Sequence, residues 1–316
     1  MKHRKAVKLA LLIGWIASIV LLSGCNRKTD SVTSTESSTQ AELENIINQN
    51  PAIFTTDQEE TEETAAYASV SPNTGIQYVS DYYVDAASAT LPVAWFRKKQ
   101  GAPSRNISIN EQGDTATVTI TTNWAGKLYV DRSRDGRRNP GTKPIADTGI
   151  KKAYFEKIYG IWNLKKVTCV DHNLTNPAKQ TVDITQVEAK TNSQSYIIND
   201  PGKLMDIATE LPTFAPGTEV KVIVTVTNTA QTWNPPAYVY LHHGMPWARN
   251  RKIMYDDGTN GDEQAGDGKY TRIYNLDSDS DIYRSVVIDV LDSGCLQNET
   301  NDDYNSTAWR IPYKVQ

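Results

Sequence analysis

Apolar positions open the chain as one run, residues 9–22, behind a cationic start (Met1-Lys2-His3-Arg4-Lys5, then Lys8). About fourteen residues fall short of the ~20 that span a bilayer as a helix, which is the length of a signal-peptide core. Residues 26–40 then carry almost no apolar side chain and are rich in Ser and Thr. Such a segment buries too little surface to offset its ordering entropy, so it reads as a flexible tether. A helical period follows. Thr39-Gln40-Ala41-Glu42 has capping-box spacing, Leu43, Ile46 and Ile47 share one face, and Pro51 ends the helix. Thr56-Asp57-Gln58-Glu59 repeats the capping pattern, with Glu59, Glu60, Glu62 and Glu63 in the dipole-favoured first turns. Residues 75–87, with Ile76, Val79, Tyr82 and Tyr83 on one side, read as a third helix.

The period then changes to two. Val93-Ala94-Trp95-Phe96 reads as a strand, and residues 106–109 and 115–121 flank the turn Glu111-Gln112-Gly113-Asp114 as a hairpin. In its second arm Ala116, Val118 and Ile120 face one way and four threonines the other, the pattern of a sheet with one dry face. Residues 153–159 and 162–170 form a last hairpin across Gly160. Residues 171–181 (Asn, Pro, Lys, Gln) read as a linker. Beyond it Val220, Val222, Val224 and Val226 alternate with Glu219, Lys221, Ile223 and Thr225 after Pro216-Gly217. Residues 237–241, 251–255, 286–290 and 309–315 add further strands, a spacing that indicates a β-sandwich.

Composition narrows the setting. The chain has 33 basic and 37 acidic residues. Removing the leader's Lys2, Arg4, Lys5 and Lys8 leaves 29 against 37, a net −8. An acidic chain without a basic face argues against a nucleic-acid partner. Arg132, Arg134, Arg137, Arg138 and Lys143 form one basic loop, suited to anionic headgroups or envelope polymers, or simply solvated.

Three stretches resemble known families. Leu21-Leu22-Ser23-Gly24-Cys25 resembles the lipobox of bacterial lipoproteins. The resemblance implies cleavage before Cys25, a diacylglyceryl (palmitate-type) modification of its thiol, and an exported protein anchored to a membrane by lipid. Asn26 rather than Asp follows, which by the same resemblance points to the outer membrane in a Gram-negative cell. Helices followed by strands ending in Gly160-Ile161-Trp162-Asn163-Leu164-Lys165-Lys166-Val167 resemble the NTF2-like cone, an α+β fold that commonly encloses a pocket. Trp95, Trp124, Tyr129 and Phe155 would line that pocket or form the core. No His precedes His172 in the unit, so acid–base chemistry would fall to Asp81, Asp85 or Asp114. Asp256-Asp257-Gly258, Gly261-Asp262 and Gly266-Asp267-Gly268-Lys269-Tyr270-Thr271 resemble the signature of Ig-like modules in bacterial surface proteins of the choice-of-anchor type. The expected organisation is therefore signal peptide 1–24, lipidated tether 25–40, an NTF2-like α+β unit 41–170, linker 171–181 and an all-β Ig-like sandwich 182–316.

Candidate chemistry is sparse. Asp256, Asp257, Asp262 and Asp267 are hard oxygen donors in one Gly-rich loop, suited either to calcium or to Asx-turns on their own backbone. Asp277, Asp279 and Asp281 begin like an EF-hand, but Ile282 stands where its turn Gly must be. His242 and His243 are strand neighbours and so point apart. Cys169 and Cys295 remain once Cys25 is lipidated; they form a disulfide across the two units or stay separate thiols. The resulting expectation is a cell-envelope lipoprotein acting as a non-catalytic binding, adhesion or scaffolding module, with an unknown envelope protein or polymer as partner. The alternative is an envelope enzyme with its pocket in the first unit.

Overall fold

The computed structural model describes residues 35–57, 70–71, 75–76, 94–132, 140–230, 233–245, 248–280, 282–298 and 304–316. Cys25, the leader, residues 26–34 of the tether, the acidic run at 59–63, Asp81 and Asp85 lie outside the described residues.

Helix α1 (Thr35–Gln49) starts inside the expected tether, and Thr39 lies within it rather than capping it. Its buried face is Leu43 and Ile47, as the spacing predicts. Pro51 opens α2 (Pro51–Phe54). The first helical position tolerates proline because its N–H has no intrahelical partner there. Two short strands, β1 (Val70–Ser71) and β2 (Gly75–Ile76), pair with each other, so the third expected helix begins as a strand.

From β3 (Ala94–Lys99) onward the chain is almost entirely strand. β4 (Ser104–Gln112) and β3 both pair with one side of β5 (Thr115–Asp131), and β6 (Gly141–Ile158) pairs with the other side over its whole length. In β5 the alternation begun by Ala116, Val118 and Ile120 runs on through Thr122, Trp124, Gly126, Leu128 and Val130, all buried. β6 answers with Lys143, Ile145, Asp147, Gly149, Lys151, Ala153 and Phe155. This long hairpin has one dry concave face. Its first third takes the helices: Leu43, Ile47, Ile53 and Phe54 share a core with Val118, Ile120 and Phe155, and the Phe54 and Phe155 rings stack at 6.4 Å. Each such fully buried side chain contributes ~1.5–3 kcal/mol of transfer free energy.

The other edge of β6 is shared by β7 (Ile161–Val167) and β8 (Val170–Leu174), and β8 also pairs with β18 (Ser306–Val315). Strand β9 (Val182–Lys190), β10 (Ser195–Ile198), β13 (Glu219–Asn228) and β16 (Lys269–Asn275) form a separate four-stranded sheet in the order β10-β9-β13-β16. β11 (Met205–Asp206) joins β7, and β12 (Thr213–Phe214) runs parallel beside β18. β14 (Ala237–Met245), β15 (Ala248–Ile253) and β17 (Ile282–Asp292) complete the large sheet, and α3 (Ser293–Gln297) links β17 to β18. Twelve antiparallel-dominated strands thus form one curled sheet, with the path β11-β7-β6-β8-β18-β17-β14-β15 and β3, β4 and β5 beyond β6.

This corrects the expected architecture. The described chain is mostly β, and strands from both expected units share one hydrogen-bonded sheet. It is not an NTF2-like α+β cone followed by an Ig-like sandwich. Residues 171–181, expected as a linker, hold most of β8 and a 3-10 turn at Pro177–Lys179. The physical reason lies in β17 and β18, which are buried on both faces. Val286, Ile288 and Val290 meet the four-stranded sheet, while Leu291 packs with Leu128, Val130 and Ile145 of the β5–β6 hairpin.

Candidate functional site

The space between the long hairpin and the far face of β14, β17 and β18 is where ionisable groups meet. Asp289, fully buried, interrupts an otherwise apolar stretch of β17. Arg97 of β3 donates to it twice, from Nη1 at 2.7 Å and Nη2 at 2.9 Å. His242 of β14 places Nε2 3.4 Å from Asp289 Oδ2. The hydroxyl of Tyr304 accepts from Arg97 Nε at 3.0 Å and Ser306 at 2.6 Å, and donates to Asp147 at 2.9 Å. Burial alone would push the Asp289 carboxyl up, but the Arg97 guanidinium and His242 override it and hold it well below the carboxylate range. Burial pushes the Tyr304 phenol far up.

Around this pair the interior is lined by aromatic rings and cations. The Arg251 guanidinium lies 3.8 Å from the Trp95 ring centroid, and Trp95 Nε1 donates to the Tyr240 hydroxyl at 3.3 Å. Arg310 donates to Ser285 at 3.0 Å and to the carbonyl of Asp57 at 2.7 Å, where the chain leaves α2. Lys99 pairs with Asp57 at 3.1 Å. Lys151, fully buried, donates to the Thr168 carbonyl at 2.7 Å. Burial, with Arg310 adding to it, brings its ammonium down to about 7.

His172 stands apart from this network. It is fully buried, its ring lies 5.2 Å from that of Trp124, and among the described residues neither of its nitrogens nor Trp124 Nε1 has a hydrogen-bond partner. Gly149 makes room for both rings, since a Cβ there would come within 2.8 Å of each. Burial and the nearby Arg310 hold His172 well below its usual range, so it is a neutral imidazole.

The basic-loop expectation divides here. Residues 133–139 lie outside the described residues, and Lys143 is no loop residue. It is buried in β6 and donates to the Gly294 carbonyl at 3.2 Å. The His243 ring lies tilted against that of Tyr274 at 4.7 Å, away from His242, as strand geometry requires. Of the aromatic residues expected to line a pocket, Trp95, Trp124 and Phe155 are buried, and the ring of Tyr129 stacks on Phe96 at 4.7 Å.

In the acidic loop, carboxylate oxygens of Asp256, Asp262 and Asp267 lie within 4.8 Å of one another, and Asp257 is outside the group. Asp256 accepts from the backbone N–H of Gly266, Asp267 and Gly268, and Asp262 from that of Gly258. Asp257 accepts from Thr259, and Asp267 from Lys269. The carboxylates thus serve the loop's own backbone, which the glycines at positive φ let turn. Cys169 and Cys295 are both buried thiols, in separate clusters, and no disulfide joins them. Burial pushes both thiols up to about 12. Cys295 is occupied locally, accepting from the N–H of Asn305 at 3.0 Å.

One cleft, of about 490 Å³, opens beside this layer between α3 and the 3-10 turn. Trp233, Lys179 and Asn176 stand at its mouth and Tyr304, Ile145 and Leu174 deeper in it. No known protein family, curated protein or solved structure matches the chain.

Proposed function

We propose that the chain is a lipid-anchored protein of the bacterial cell envelope that acts as a non-catalytic binding, adhesion or scaffolding module. The observation that carries this reading is the leader, in which a cationic start, a short apolar core and Leu21-Leu22-Ser23-Gly24-Cys25 follow in order. Its non-catalytic character is supported by the buried layer, where Arg97, Asp289, Tyr304 and Asp147 are committed to one another. Both unlipidated thiols are protonated at neutral pH and closed off from solvent, so neither is a ready nucleophile. The cleft at Trp233 is the concave face offered to a partner, lined by Ile145, Leu174 and Trp233 together with the polar side chains of Asn176, Lys179, Asp292 and Asn305.

The experiment is metabolic labelling with a fatty acid, comparing the natural chain with Cys25→Ser. The natural chain is expected to take up label and sediment with membranes, and the variant to take up none. Label on the variant would overturn the reading. Affinity capture of the lipidated protein from membranes then identifies the partner. The enzyme alternative has His172 in its favour, and it requires a substrate to reach a fully buried ring.

A further inference from the structure

One two-residue turn of the long sheet is built against its own preference. Ile158 and Ile161 pair across a two-residue hairpin, Tyr159-Gly160, with φ of 50° and 80°. Positive φ at both central residues is the type I′ pattern, whose first position favours Asn, Asp or Gly. A tyrosine there is strained, because its Cβ crowds the backbone in the left-handed region. The strain gains nothing from packing. Tyr159 is 100% exposed, and Ile161 and Ile158 beside it are 67% and 39% exposed. Strain kept without burial points to something outside the chain.

The position of the tip identifies the occupant. The N–H of Lys157 bonds to the carbonyl of Asp114 at 2.7 Å, so the β4–β5 and β6–β7 turns lie at one end of the molecule. Thr39, in the first turns of α1, donates to Glu111 at the same end. The chain therefore leaves toward Cys25 beside the Tyr159 tip. Cys25 lies ten residues before Thr35. Ten residues reach at most ~35 Å, so a lipid on Cys25 would keep this end near the bilayer.

We propose that the Tyr159–Gly160 hairpin is a second membrane contact, in which Tyr159, Ile158 and Ile161 enter the interfacial zone of the bilayer that holds the lipid anchor. The inference rests on the lipoprotein reading above. Tyrosine suits that zone, since its ring is apolar and its hydroxyl stays wet. Charge is not the driving term. Lys157 and Lys165 near the tip are offset by Glu111, Asp114 and Glu156, and the Lys157 ammonium lies 5.2 Å from the Trp162 ring centroid. A diacylglyceryl group brings two acyl chains and already holds a protein stably, so the second contact would set how the chain is oriented on the bilayer rather than whether it stays there.

The test uses the mature chain from residue 25 with Cys25→Ser, which keeps every described residue and carries no lipid. It is sedimented with phosphatidylcholine vesicles, and with vesicles that also contain phosphatidylglycerol, at low and high salt. Binding to both, unchanged by salt, is expected. Ile161→Ser and Tyr159→Asn should each weaken it by about tenfold, the effect of losing one apolar group from the interface. Tyr159→Asn suits the turn, so its melting temperature should match or exceed that of the parent, and lost binding then cannot be misfolding. Unchanged binding in both variants would overturn the proposal. Binding only to phosphatidylglycerol that high salt removes would assign the contact to the lysines and overturn it too. Self-association lost in Tyr159→Asn, with no vesicle binding, would make the tip a contact between two copies instead. Failure of the lipoprotein reading is read separately, as absence of label on Cys25 in the natural chain.

Discussion

Single buried ionisable residues set the sharpest expectations. Asp289 was passed over in the sequence, although one carboxylate inside Val286-Val287-Ile288-Asp289-Val290-Leu291 must be paired wherever that run is buried. Its partner was not legible, because Arg97 lies 192 residues away and looks in sequence like part of a charged strand end. Asp289→Ala should leave the guanidinium buried without its carboxylate and cost ~3–5 kcal/mol by urea unfolding, while the pair replacement Arg97→Met with Asp289→Leu should cost much less. Lys151 gives a pH prediction. Its folded pKa, about 7, lies below the unfolded 10.5, so above pH 7 the unfolded chain binds a proton that the folded chain does not. The Lys151 contribution to stability should therefore rise with pH from about 7 toward 10.5, by up to ~1.4 kcal/mol per unit, and Lys151→Met should flatten that rise. His172 acts at the acid side with the same sign. Its folded pKa lies well below 6.5, so stability should fall as pH drops below that value. His172→Leu should make the fall shallower by about one proton, whatever its effect at neutral pH.

At the scale of elements, legibility followed the number of buried faces. β5 was readable because one face is dry and the other wet, so Ala116, Val118 and Ile120 stand out against threonines. β8 was not, because Val170, His172 and Leu174 are its buried positions and the polar residues between them suggested a linker. The helices were over-read: a capping pattern and an apolar face gave α1, while Ile76 belongs to a strand. The acidic loop was legible as a loop, and three of its four expected carboxylates do form a group with Asp257 outside it, but not how they would be used. Asp256 accepts three backbone N–H bonds, so Asp256→Ala should cost ~1–2 kcal/mol, against a few tenths for Asp257→Ala on its exposed turn. With the carboxylates spent in this way, thermal melts should not respond to millimolar calcium. A calcium-dependent rise that Asp256→Ala abolishes would return Asp256, Asp262 and Asp267 to the role of ligands.

The whole molecule is tied together by strands that the sequence assigned to different units. Pairing of β8 with β6 on one side and β18 on the other puts residues 147–150, 170–174 and 308–310 side by side. Arg97 with Asp289, Tyr304 with Asp147, and Arg310 with the carbonyl of Asp57 cross the same boundary. A piece comprising residues 182–316 would keep the four-stranded sheet and its core but bare the far face of β14, β17 and β18. Leu291 and Tyr240 would meet water, and Asp289 and Arg310 would lose partners now supplied from β3 and from the exit of α2. That piece is therefore expected to be unfolded or aggregated when made alone. The intact chain should unfold in one calorimetric transition whose van't Hoff and calorimetric enthalpies agree. Two separate transitions, or a soluble 182–316 fragment with sharp thermal unfolding, would show instead that the shared sheet adds little to the stability of either half.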